Sequence, residues 1–225
     1  MEASFTKWFG EPIYISKVKY FKEINKKIVP LIEKNIIPTN SQYARTTDVK
    51  PKELQSIDDN LHLKEDFEIL YTEVRKHILE YLEIQKYNLN VFDIYILKSW
   101  ATYSLNNQLL HMHKHMASHF SFVYYPKADK QGNLRFVSNT GHDTHMYIPS
   151  REEYFTKFDE TNFSTTVYPA ETGNIIIFPS KIFHETEVNK TNTPRISISG
   201  DILITMKPDI KSEHCFPSPS TWKKL

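Results

Sequence analysis

The stretch "HMHKHMASHFSFVYY", residues 111–125, sets four histidines ahead of an apolar, aromatic run. Three of them, His111, His113 and His115, alternate strictly. Alternate side chains of a strand share a face, so these imidazoles project together, into a barrel or onto its rim. At this point three accounts stand open: a polar loop, a pH-sensitive cluster, or one half of a metal site.

Outward from this stretch, the second half of the chain keeps the same texture. VFDIYILKSW (91–100), FSFVYY (120–125), NLRFV (133–137), HMYIP (145–149), TTVYP (165–169), GNIIIFP (173–179) and RISISGDILIT (195–205) are short, β-branched and aromatic. Gly, Asn, Asp and Pro separate them, the pattern of antiparallel strands in a sandwich or barrel. The first half reads as helical. Val18, Phe21, Ile24, Ile28 and Leu31 recur at spacings of three and four after Ser16, a candidate cap, and Pro30 is expected to end or kink that helix. Phe67, Leu70, Val74, Ile78 and Tyr81 give a second apolar stripe, and the polar segment 39–54 between the two reads as a loop. The expected fold is mainly β with flanking helices (α+β). It forms one domain over 1–225: helical support over 1–90, a β body over 91–206 and a tail over 207–225.

Composition narrows the partners. A formal net charge of +1 provides no single-sign field to hold nucleic acid or an acidic membrane surface. One cysteine, Cys215, cannot form an internal disulfide and points to a reducing compartment. The opening MEASFTKWFGEPIYI lacks the pattern of a secretory signal, and no apolar run approaches the ~20 residues that span a bilayer. A cytoplasmic protein is expected.

Imidazole is a common ligand for iron, copper and zinc, but two ligands from one strand rarely suffice. The best third candidate is His184 in "GNIIIFPSKIFHE" (173–185), after a very apolar strand and a Pro-Ser turn. Ten residues after His184 comes "PRISISGD" (194–201), where alternation puts Arg195, Ser197 and Ser199 on one face. A buried arginine needs an anion, because an unpaired buried charge costs several kcal/mol, and a guanidinium fork fits a carboxylate at two points. Together these residues suggest a metal site beside a pocket for a small carboxylate.

"HKHMASHFSFVYY" followed by "GNIIIFPSKIFH" and "PRISIS" resembles the 2-oxoglutarate- and Fe(II)-dependent oxygenases. The relevant branch carries HxHP…SGVYY, then a glycine-led FPSxxxH segment and RISIS. The likeness runs from about Trp100 to Ser199, with weaker echoes in WFGEPIY and in the helix before LKSW. It implies a double-stranded β-helix (a cupin-like jelly roll) with helices outside, a facial triad of metal ligands, and Fe(II) with 2-oxoglutarate as cosubstrate. The implied reaction is hydroxylation of an unactivated C–H bond by O2, with release of succinate and CO2. The implied substrate is a small molecule or an amino-acid or peptidyl side chain, and a homodimer is left open. Carried over, His113 and His184 are metal ligands, Arg195 and Ser197 hold the distal carboxylate of 2-oxoglutarate, and Tyr125 is a third contact to it.

The chain departs from the better-known pattern at His115, where other members of the superfamily have Asp or Glu. Either His115 coordinates, giving three neutral nitrogens, which is the preferred reading, or it stands behind the ligands and an anion takes its place. Met116 replaces the usual proline and Phe122 the usual small residue, and both are expected at the pocket mouth. His111 and His119 are expected to orient other groups, His142 and His145 with Asp143 to be solvent-exposed, and Trp100 and Tyr103 to line the substrate side or the core. The competing account of Arg195 is an ion pair with Asp201, Glu185 or Glu187. Two other functions remain: a three-histidine dioxygenase that does not use 2-oxoglutarate, and a jelly-roll metal- or sugar-binding module without turnover.

Overall fold

A computed structural model describes residues 10–38, 44–46, 55–57, 60–137, 156–157 and 165–225. The elements in chain order are β1 (Tyr14–Lys17), α1 (Phe21–Asn35), β2 (Ile37–Pro38), β3 (Ala44–Thr46), β4 (Gln55–Ile57), α2 (Glu68–Ile84), β5 (Phe92–Ser104) and β6 (Gln108–Leu110). They continue as β7 (Phe120–Lys127), β8 (Leu134–Val137), β9 (Thr165–Tyr168), β10 (Asn174–Pro179), β11 (Phe183–Thr186) and β12 (Arg195–Met206). One sheet has the order β1-β10-β7-β12-β5-β4-β2, a second has β11-β8-β9, and β3 pairs with β6. The pairings are antiparallel, and the fold is a double-stranded β-helix with helices outside.

The long strand β12 lies at the centre of the large sheet, between β5 and β7, and its alternation divides the molecule. Ile196, Ile198, Ile202 and Ile204 join Phe120, Phe122, Tyr124, Ile175 and Ile177 in a core that α1 and α2 cover. The opposite face of the sheet meets the small sheet in a second core of Val123, Tyr125, Ile176 and Phe178 with Leu134, Phe136 and Ile182.

Helix α1 buries Ile24, Ile28 and Ile32, one stripe at i, i+4 and i+8. Buried Asn25 fastens it to β7, donating to the Pro126 carbonyl at 2.8 Å and accepting from the Tyr124 hydroxyl at 2.6 Å. Two details of this helix differ from expectation. Pro30 does not end it but lies inside it, on the exposed face, where the carbonyl of Lys26 that loses its amide partner can bond water instead. Ser16 is not its cap but belongs to β1, whose partner β10 lies more than 150 residues away. Residues 44–46, expected in a loop, pair as a strand with β6. Thus the N-terminal segment is more than helical support, since β1 and β2 form the two edges of the large sheet.

One irregularity matters for the site. Between Ile96 and Lys98 the register of β5 against β12 shifts, with Asp201 opposite Lys98 but Ile202 opposite Ile96. Leu97 is therefore an extra residue, and the bulge reverses which side chains face the helices. Before it, Phe92, Ile94 and Ile96 pack on the helix side; after it, Ala101 and Tyr103 do. Lys98, Trp100 and Thr102 consequently share the inner face with Asp201.

Candidate metal centre

The structure brings His113, His115 and His184 together, with one ligand nitrogen from each within 4.8 Å of the others. His113 and His184 face each other in an isolated antiparallel bridge, each amide donating to the other's carbonyl at 2.9 Å. The His115 amide donates to the Ser180 carbonyl at 2.8 Å, and the Ser180 amide donates to the His119 carbonyl at 3.0 Å. The PS turn after β10 thus staples the histidine segment down. Residues 111–119 are not a regular strand, which corrects the expectation of three alternating imidazoles on one face. His111 points out to solvent, and only its carbonyl takes part, as acceptor from the His113 ring.

The hydrogen bonds fix the tautomers. His113 Nδ1 lies 2.8 Å from the His111 carbonyl and His184 Nδ1 lies 3.0 Å from the Ile182 carbonyl. A carbonyl can only accept, so both Nδ1 atoms carry the proton and the lone pair of each ring is on Nε2. Burial lowers the pKa of His113 and takes that of His184, also opposed by the neighbouring His113, down to about 3. Both rings are therefore neutral at pH 7 and able to ligate. The rings of Phe178 and Phe136 pack against His184 at 4.9 and 6.1 Å between centroids and wall the site from water.

His115 is held differently. Its Nδ1 lies 2.5 Å from Asp201 Oδ1 and 3.0 Å from Ser121 Oγ. Asp201 is 3% exposed; burial pushes its carboxyl up, but hydrogen bonds from His115 and Ser121 and the Lys98 ammonium outweigh this and hold it below the usual value. A hydroxyl chain backs it: Ser118 donates to Ser180, Ser180 meets Ser121, and Ser121 donates to Asp201, each at 2.8 Å. Lys98 lies 3.2 Å from Asp201 Oδ2, with its ammonium over the Trp100 ring, and that ring leans on His115 at 5.7 Å.

Arg195 begins β12 on the same inner face and is 2% exposed. One Nη donates to the Gly132 carbonyl and the other to Thr186 Oγ1 at 3.5 Å, while Nε has no partner. A Cβ on Gly132 would lie 2.6 Å from the guanidinium, so glycine makes room for that close approach. Among the described residues no carboxylate pairs with Arg195. Asp201 belongs to His115 and Lys98, and Glu185 and Glu187 both reach Arg135. Burial alone pushes the guanidinium pKa down, and the nearby Tyr125 acts the other way. Tyr125 is fully buried beside it, its own pKa raised to about 12 by that burial. Ser197 is buried two residues along β12 from Arg195.

The other expectations separate. His119 turns away from the site, its Nδ1 accepting from the Ile204 amide and its ring against Phe216 of the C-terminal tail. Tyr103 packs against the helix-side core rather than the substrate side. Phe122 is buried there too, edge-on to Tyr71, and not at a pocket mouth. It fills the space opposite Gly200, where a Cβ would meet its ring at 2.4 Å. Met116 is 69% exposed. His142, Asp143 and His145 lie outside the described residues. Sequence reading missed the part that Asp201, Ser121, Ser180 and Lys98 play around His115; their only signal was serine and charge inside strands that otherwise read as core.

Comparison with known proteins adds three findings. Residues 98–201 match the family described as "Putative 2OG-Fe(II) oxygenase". The chain superposes on a Pseudomonas putida prolyl-4-hydroxylase with a TM-score of 0.56 at 12% identity, covering 85% of this chain and 92% of that one. It matches SnoN, a non-heme alpha-ketoglutarate-dependent epimerase of nogalamycin biosynthesis, at 0.59 and 12%, covering 88% and 79%. Streptomyces hygroscopicus HygX, solved with nickel, 2-oxoglutarate and hygromycin B, matches at 0.56 and 9%, covering 84% and 82%. No curated protein sequence matches the chain. Among the described residues no helix is long and apolar enough to cross a membrane.

Proposed function

Starting from a chain whose family match and fold are those of the 2-oxoglutarate-dependent non-haem iron oxygenases, we propose that it hydroxylates an unactivated C–H bond of a small-molecule or amino-acid/peptidyl substrate. His113, His115 and His184 hold Fe(II) through Nε2. Arg195, with Ser197 and Tyr125, holds the far carboxylate of 2-oxoglutarate. The donor set suits the ion: neutral imidazoles on one side of a cation leave positions free for exchangeable ligands. Iron with 2-oxoglutarate supplies the oxidative decarboxylation and the oxidising power the C–H bond demands.

The observation that carries this reading is the buried guanidinium with, among the described residues, an orphaned Nε and no carboxylate partner. Leaving such a cation unpaired costs several kcal/mol, so the site is built for an anion that arrives from outside. Its position suits a diacid. His184 and Thr186 lie two residues apart on β11, ~7 Å along a strand, and Thr186 is the side chain that touches Arg195. A five-carbon diacid chelated at one end reaches about that far. Val123, Ile176 and Phe178, buried in the inter-sheet core on this inner face, supply apolar surroundings of the kind that exclude water.

Anaerobic Fe(II) and 2-oxoglutarate should give a visible charge-transfer band, and air should then yield succinate. Arg195→Met should keep iron but weaken 2-oxoglutarate roughly 30-fold or more, the loss expected when one half of a buried charged pair is truncated. The apo variant should be as stable as the parent or more so, since an unpaired buried cation has gone. Undiminished 2-oxoglutarate binding by that variant would transfer Arg195 to a substrate's own carboxylate, as in a three-histidine dioxygenase.

A further inference from the structure

The metal-binding residues proposed above carry no charge of their own. Three neutral imidazoles leave a divalent cation at +2 in a site where His184 is 5% exposed and phenyl rings stand on one side. A buried charge is tolerated when an opposite one lies close. Within the described residues, the carboxylate that answers is Asp201, one hydrogen bond behind His115.

We propose that Asp201 is the anionic member of this metal centre, set one imidazole outward from the ion, where it fixes His115 with Nε2 toward the metal and supplies the negative charge that the ligands lack. The proposal rests on the reading of His113, His115 and His184 as ligands. A carboxylate that accepts from Nδ1–H leaves only Nε2 for the ion and makes that nitrogen a stronger donor. Two features of the chain are built around this contact. The Leu97 bulge turns Lys98 to face Asp201 from β5, and the Ser118–Ser180–Ser121 chain delivers a further hydrogen bond from the other side. Oδ1 thus meets both His115 and Ser121 and Oδ2 faces Lys98, contacts that hold the carboxylate behind His115.

Lys98 gives the proposal a sign that can be measured. Its ammonium, at 3.2 Å, draws negative charge away from His115. Removing Asp201 and removing Lys98 should therefore act in opposite directions on the same ion. The Lys98 side chain is 48% exposed, so its replacement by another long side chain is expected to leave the fold intact.

The test uses the full chain with Co(II), followed by titration calorimetry and the ligand-field spectrum, and with iron for the Fe(III)/Fe(II) potential. Asp201→Asn keeps the shape and an acceptor oxygen but removes the charge. It should weaken Co(II) about 10- to 100-fold, in the range seen when such supporting partners are lost, and raise the iron potential. Lys98→Met should tighten Co(II) and lower the potential. In the metal-free protein, nitrogen NMR should place the His115 proton on Nδ1, and Asp201→Ala should lose that preference. Wild-type affinity in Asp201→Asn, or potentials that move the same way in both variants, would overturn the proposal. Failure of the unaltered protein to bind Co(II) would instead remove the ligand reading beneath it.

Discussion

The two faces of β12 are made by one strand and do opposite work. On the helix side Ile196, Ile198, Ile202 and Ile204 are buried against α1, α2 and their neighbours. On the inner side, in the same alternation, stand Arg195, Ser197, Ser199 and Asp201. The first face gains free energy from every residue it removes from water. The second buries an arginine that lacks a full set of partners and an aspartate held by three polar neighbours, His115, Ser121 and Lys98. The contrast teaches where the stability comes from. The isoleucines hold the strand in register, and so the inner face can carry groups that cost folding energy.

The comparison breaks most sharply at the metal end. His184→Ala should abolish stoichiometric iron binding, measured as iron retained after gel filtration, while the variant unfolds in one cooperative step like the parent. Retained iron would mean that the three-histidine cluster is not the binding site. On the helix side, Ile198→Ala should do the reverse. Loss of a fully buried isoleucine should cost about 2–5 kcal/mol in denaturant unfolding, with unchanged iron per folded molecule. An iron deficit in the folded fraction would show that the two faces are coupled.

How much of this was legible in the sequence follows from the same geometry. The inner position of Arg195 and Ser197 could be read because an uninterrupted strand keeps its alternation, and β12 does so from Arg195 to Met206. His184 stood out because it follows a very apolar strand and a Pro-Ser turn, and the family resemblance paired it with His113. The shape of the histidine segment could not, since residues 111–119 take their path from contacts with the turn at Ser180 rather than from a strand ladder. Lys98 and Trp100 were equally hidden. A bulge at Leu97 leaves no mark in the residue pattern, yet it decides which of Trp100 and Tyr103 meets the site. Asp201 followed from neither motif nor spacing, because its partner His115 is 86 residues away.

Gly200 tests how tightly the helix-side face is packed. It lies opposite Phe122, and an added methyl would meet the ring at 2.4 Å. Gly200→Ala should therefore cost about 1–3 kcal/mol, the range for overpacking a filled core, and Phe122→Leu in the same chain should recover part of it. Chemical denaturation of the two variants and the double variant closes the cycle. Full additivity would show that the strand relaxes and that the large-against-small match is not a constraint.

The smallest effect is expected where the inner face passes to the next strand. Tyr125 stands on β7, fully buried beside Arg195, and is proposed to share the far carboxylate of 2-oxoglutarate. Its ring also belongs to the inter-sheet core, so the hydroxyl and the ring must be separated. Tyr125→Phe keeps the ring and removes the hydroxyl. One hydrogen bond to a charged group is worth about 1.5–3 kcal/mol, and with Arg195 still in place the lower end applies, so 2-oxoglutarate should weaken about tenfold with iron affinity unchanged. Anaerobic titration of the charge-transfer band measures this directly. An unchanged dissociation constant would confine the diacid-binding face to β12 and leave Tyr125 as packing. A loss as large as that of Arg195→Met would make the phenol, rather than the guanidinium, the principal anchor.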